Sequence, residues 1–190
     1  MHFSRPILKS LIEKQKLVSG FRDLEKQLTA NGIDLRLAAL VEIVDGGKLA
    51  VEKSDNKMPK LGKAFVLKGY EMRLAEYGIE KIESVDEKFA VKLNPLRPYF
   101  AVTCEEVNIP SNVMCHIESR TTLFRLTQSG LFTTVGEAGY RGFLTFMLLP
   151  FLGSEIELGS RFSQLVFTEL RGESHYEQQA QANYQGGKLF

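Results

Sequence analysis

Apolar and polar positions change period once along the chain, and that change outlines the architecture. Near the start, Leu8, Leu11 and Ile12 recur at helical spacing behind Ser4 and Pro6, which predicts a short amphipathic helix over residues 5–15. "FRDLEKQL" predicts a second helical turn. From "GIDLRLAALVEIV" the apolar positions alternate; "DGG" then supplies turn chemistry and "KLAVE" a returning strand, so a hairpin is expected there. Residues 54–94 follow no single period: "SDNKMPK" reads as loop, and "KAFVLKGYEMRLAEYGIEKI" suits either strand or helix.

From Tyr99 onward strand follows strand: "YFAVTCEEV", "VMCHIES", "GLFTTV", "FLTFMLL", "SEIELG" and "RFSQLVFTEL". Turn signals arrive about every ten residues, the spacing of a sandwich or small barrel rather than an α/β sheet. In "VMCHIES" the alternation points Val113, Cys115 and Ile117 inward and Met114, His116 and Glu118 outward. The last twenty residues have no apolar period and are rich in Gln, Gly and Tyr. Such a segment frays unless it orders over a ligand, as a lid does.

Composition narrows the picture. At 190 residues and 44% hydrophobic the chain suffices for one core, so residues 1–190 are expected to form a single domain, with 171–190 as its mobile tail. A formal net charge of +1 supplies no field for a nucleic-acid backbone or an anionic membrane, so any anion site must be local. Cys104 and Cys115 lie in strand-like text without metal-ligand spacing and read as buried thiols. "MHFSRPILKSLIEKQK" carries charges where a signal peptide needs an apolar run, and "FLTFMLLPFLG" is too short to span a bilayer and contains Pro150. A soluble, cytoplasmic protein is expected.

Familiar catalytic signatures are missing. His2, His116 and His175 fall in a terminus, a strand and the tail; there is no GxSxG elbow, and "GGKLA" lacks the spacing of a phosphate-binding loop. What remains is "SRTTLFR". Arg120 and Arg125 can donate forked, charge-assisted hydrogen bonds to phosphate oxygens, and Thr121 and Thr122 add neutral donors. A polar turn with a Glu118–Arg120 salt bridge explains the spacing equally well.

The order of motifs breaks the tie. "NGIDLRL", "ESRTTLFR", "TVGEAGYRG" and "RFSQLVF" resemble, in sequence and order, the motifs shared by dUTPases and dCTP deaminases. "ILKSLIEKQKLV", "LNPLRPYFAVTCEEVNIP" and the tail "ANYQGGK" resemble the dCTP deaminase branch in particular, while residues 52–92 match neither. The resemblance implies a mainly β fold, a distorted antiparallel jelly roll of the β-clip kind with short N-terminal helices, assembled as a homotrimer with nucleotide sites between subunits. It also implies a deoxypyrimidine triphosphate substrate carrying Mg²⁺ on its phosphates, with no metal held by the protein.

By that resemblance Arg120, Thr121 and Thr122 grip the triphosphate, Gln164 supports it, and Arg125 matches a group of the deaminases. Asp34 would be a structural residue beside the site. The segment from Leu131 to Val135, with Thr133, Thr134 and Val135, would face the pyrimidine, and Tyr140 the deoxyribose. Tyr184, Gln185 and Lys188 of the tail would close over the nucleotide. Two positions speak to the chemistry: Glu137 stands where dUTPases carry the aspartate that activates water, and Met147 where deaminases carry a proton-shuttling glutamate. A thioether exchanges no protons. The expectation is therefore a dUTPase on the deaminase branch, with a dCTP deaminase or a non-catalytic deoxynucleotide-binding protein as alternatives.

Overall fold

The structure is a computed structural model that describes residues 1–179 and 184–189. Helix α1 (Arg5–Gln15) forms where the period predicts it, with Pro6 in its first turn and Leu8 and Ile12 buried. Ser4 sits at its N-cap in extended conformation, but its hydroxyl makes no capping bond. Strand β1 (Val18–Ser19) and helix α2 (Leu24–Gln27) follow; the Asp23 carboxylate caps α2 by accepting from the Lys26 N–H at 3.2 Å.

Strand β2 (Ile33–Asp45) is the spine of the fold. Alternation predicts one inward face, yet residues 33–41 are all buried, because β2 is covered on both sides. It pairs with β12 (Arg161–Glu169) through residues 33–36, then with β6 (Tyr99–Asn108) from Leu37 and with β3 (Lys60–Leu67) from Ala39. Placing Asp34 and Arg36 inside such a strand is costly unless each charge is paired, and both are.

The expected hairpin is corrected in one respect: "KLAVE" is not the returning strand. Residues 46–59 make an exposed excursion, tied by a bridge between Lys48 and Lys57, in which Leu49 and Val51 are 92% and 101% exposed and have no sheet surface to cover. The chain returns as β3, antiparallel to β2. The ambiguous region resolves into β3, a 3₁₀ turn at Glu71–Leu74, β4 (Lys81–Val85), which runs parallel to β3, and β5 (Ala90–Leu93).

After β6 come β7 (Val113–Ser119), helix α3 (Thr121–Thr127), β8 (Ser129–Phe132), β9 (Val135–Gly136), β10 (Arg141–Pro150) and β11 (Ser154–Glu157), which pairs with β5. Strand order in the main, curled sheet is β8-β10-β6-β2-β12-β7-β9, with antiparallel pairing throughout that path. This is the expected mainly β jelly-roll arrangement. "GLFTTV" is not one strand: β8 pairs with β10 and β9 with β7, and the break falls at Thr133, whose hydroxyl donates to the Ile117 carbonyl at 2.6 Å.

Leu35, Leu37, Leu40, Tyr99, Phe162 and Phe167 are buried to 1% exposure or less and fill the space enclosed by the curl. Val113, Cys115 and Ile117 face in, as the alternation requires, and both cysteines are free and buried. Among the described residues no helix is long and apolar enough to cross a membrane.

Candidate active site

Most of the candidate residues fall in two neighbouring structures, an arginine corner and a cavity. The corner starts with register. Asp34 on β2 and Gln164 on β12 are cross-strand partners, and Gln164 is also opposite Glu118 on β7, next to the point where the chain leaves the sheet at Arg120. Asp34 has a side chain only 2% exposed, and its Oδ2 accepts from Arg120 Nε at 2.9 Å and from Arg161 Nη1 at 3.2 Å. Gln164 Nε2 donates to Asp34 Oδ1 at 3.2 Å and to Thr29 Oγ1 at 3.0 Å. Arg120 also donates from Nη1 to the Arg161 carbonyl at 2.9 Å.

The Arg120 guanidinium is thus aimed by a buried acid, and its partner is Asp34 rather than Glu118. Burial pushes the Asp34 carboxyl up from its ordinary value, while Arg120, Arg161 and the Gln164 amide pull the other way. Arg120 is the N-cap residue of α3, so Thr121 and Thr122 sit exposed in its first turn. Arg125 is exposed one turn further on, with no side-chain partner among the described residues. Gln164 acts on the corner through Asp34, and Arg161 and Thr29 belong to the same network although the sequence alone did not single them out.

The cavity, about 620 Å³, lies between β10, the β8–β9 loop and the C-terminal segment. Thr133, Thr134 and Val135 form one wall, Glu137 and Tyr140 another, and Tyr184 and Lys188 come from the C-terminal segment. Phe100, Phe132 and Met147 supply the apolar floor. Glu137 is the only carboxylate among the described lining residues, and it is partly exposed. Among the described residues no group of three His, Cys, Asp or Glu is placed to hold a metal ion.

Tyr140 is 7% exposed; its hydroxyl donates to the Phe143 carbonyl at 2.7 Å, and burial pushes its pKa up. Its ring meets Tyr176 edge-on, centroids 5.4 Å apart. Tyr176 was not singled out from sequence, although the tail's aromatic content hinted at such a contact. Arg120, Thr121, Thr122, Arg125, Asp34, Gln164 and Gln185 do not line the cavity. The two structures share strand β7, which gives Ile117 to the cavity wall and ends beside Arg120, three residues or roughly 10 Å on. The expected lid spans residues 171–190, of which 180–183 and 190 lie outside the described residues.

Comparison with known proteins agrees with this fold. The chain is 26% identical over 165 residues, 86% of its length and 84% of the relative's, to a probable deoxyuridine 5'-triphosphate nucleotidohydrolase of Archaeoglobus fulgidus. It is 32% identical over 124 residues, 63% of its length and 78% of the relative's, to a dCTP deaminase of Thermococcus kodakarensis. The crystal structure of the 2'-deoxycytidine 5'-triphosphate deaminase of Agrobacterium tumefaciens superposes with a TM-score of 0.59 at 17% identity. That likeness covers 90% of this chain and 48% of the other, so this chain spans about half the length of that protein. Residues 3–170 match the dCTP deaminase-like family, and with most of its length inside that match the chain belongs to it.

Proposed function

We propose that the protein is a dUTP diphosphatase, hydrolysing dUTP to dUMP and pyrophosphate. The observation that supports this most is the pairing of Glu137, the one carboxylate among the described lining residues, with Met147 in the same cavity. A carboxylate can take a proton from water; a thioether at the other position cannot serve a deamination. In this reading the pyrimidine enters against Thr133, Thr134 and Val135, with the sugar at Tyr140. Glu137 removes the proton from a water as its oxygen bonds to the α-phosphorus, and the bridging bond to the β-phosphate breaks to release pyrophosphate.

Mg²⁺ carried on the substrate's phosphates would offset part of their charge, with no protein ligand required among the described residues. Arg120, held in place by Asp34, donates to the phosphates together with Thr121 and Thr122, and Arg125 adds charge nearby. Since the corner does not line the cavity of its own chain, the complete site takes the corner from an adjacent copy in a homotrimer. In this reading the described part of the C-terminal segment, residues 171–179 and 184–189, serves as the lid of the cavity.

A second reading, dCTP deaminase, is favoured by the relatives bearing that name. Incubation with Mg²⁺ and dUTP, dCTP or dTTP, with pyrophosphate and ammonia measured separately, separates the two. Pyrophosphate from dUTP without ammonia from dCTP is expected. Glu137→Gln should lower dUTP turnover by roughly 10²-fold or more while leaving the affinity for α,β-imido-dUTP within a few fold. Wild-type turnover in that variant would remove Glu137 from the mechanism.

A further inference from the structure

The C-terminal segment grips the wall of the cavity as well as lying across it. Gln185 reaches the turn between β9 and β10 with both ends of its amide. The Arg141 N–H donates to Gln185 Oε1 at 3.0 Å, and Gln185 Nε2 donates to the Gly139 carbonyl at 3.2 Å, so the two bonds flank Tyr140. The same Nε2 lies 3.3 Å from Glu177 Oε1, on the 3₁₀ turn that carries Tyr176. Backbone continues the contact, with the Gly186 N–H donating to the Arg141 carbonyl at 2.8 Å. Approach this close needs bare backbone: a Cβ on Gly142 would lie 2.4 Å from Gly186, and one on Gly187 would lie 2.4 Å from the Phe143 ring.

The geometry points to Gln185 as a positioning residue, a latch that fastens the C-terminal segment to the Gly139–Arg141 turn and so holds Tyr140 and Glu137 in the cavity wall. The resemblance implies a nucleotide contact for Gln185. Instead its amide is engaged by the protein's own backbone, and the residue does not line the cavity. A primary amide suits the task because one planar group offers a donor and an acceptor to the N–H and C=O that bracket a single residue. The kinetic consequence rests on the proposed dUTP hydrolysis; the fastening itself requires no substrate.

Gln185→Glu tests it. The ionised carboxylate keeps the acceptor for Arg141 but turns a second acceptor toward the Gly139 carbonyl and Glu177. Its protonated form restores one donor and one acceptor. In the nucleotide-free full chain, corrected for intrinsic rates, amides of residues 139–142 should exchange roughly tenfold faster in Gln185→Glu than in wild type at neutral pH. That difference should shrink as pH falls through the introduced carboxyl's pKa. Gln185→Ala should show the faster exchange at every pH. With dUTP, both variants should lose kcat while α,β-imido-dUTP binds with little change.

Unchanged exchange at the turn in both variants would overturn the latch. So would loss of analogue affinity with the turn still protected, which would make Gln185 a nucleotide ligand. Failure of the wild type to hydrolyse dUTP would sink the proposed reaction and leave the exchange result to stand or fall by itself.

Discussion

An arginine at a loop–helix junction ordinarily samples many rotamers, and Arg120 is denied that freedom by Asp34 and the Arg161 carbonyl. Asp34 in turn is oriented by Gln164, itself bound to Thr29. Deleting a buried member of such a network can cost as much as a core truncation, but here the stranded partners have a way out. Arg120 and Arg161 are 22% and 37% exposed and can turn to water. Asp34→Ala should therefore destabilise the fold by only about 1–3 kcal/mol, as chemical denaturation would read. Affinity for α,β-imido-dUTP should fall more than tenfold because Arg120 is no longer aimed. An undiminished affinity would separate Arg120's orientation from binding. "NGIDLRL" and "RFSQLVF" were visible as motifs, but nothing in their spacing shows that they meet across β2 and β12, since register between distant strands is set by tertiary packing.

At the scale of elements, strands were legible wherever one face was wet. Alternation in "VMCHIES" set the inward residues of β7, Cys115 among them, and Cys104 lies buried on β6. Burial pushes both thiols up from 9.0 to about 12, with Glu105 adding to the effect at Cys104. At about pH 8 the thiolate fraction is then on the order of one in ten thousand, so the native protein should not react with a thiol reagent such as DTNB, whereas denatured chains should release two equivalents. Both folded values lie above the unfolded one, so the folded state holds these protons more tightly. Their stabilising effect is complete below pH 9.0 and is lost as pH rises toward about 12, which melting temperature against pH should show as an alkaline decline that weakens in Cys115→Ala. Rapid native labelling would contradict the burial.

Elements buried on both faces, or on neither, were harder to read. Strand β2 hides two charged residues along with its apolar ones, so its alternation understates its burial. "KLAVE" alternates like a strand and pairs with nothing in the main sheet, because period reports which side chains would share a face and not whether a neighbour exists to cover it. "GLFTTV" likewise divides where Thr133 bonds to Ile117, a contact between strands that local text does not encode.

At the scale of the molecule, the proposed trimer makes its own prediction. If the corner of one copy serves the cavity of another, Arg120→Ala and Glu137→Gln chains should each be nearly inactive alone. Equimolar co-assembly should recover roughly a quarter of wild-type dUTP turnover, the share of interfaces that join an intact corner to an intact cavity. No recovery would assign both groups to one chain.

By itself the sequence determined the class of fold, the two N-terminal helices, the inward faces of the wetted strands and the motif residues, because period, turn chemistry and charge are local properties of the chain. Only tertiary structure decided that Asp34 rather than Glu118 holds Arg120, that Glu137 and Met147 share one cavity, and that Gln185 binds the turn beside Tyr140. The first and last of these join residues far apart along the chain, and the shared cavity depends on how β10, the β8–β9 loop and the C-terminal segment pack around a curled sheet, which no local pattern contains.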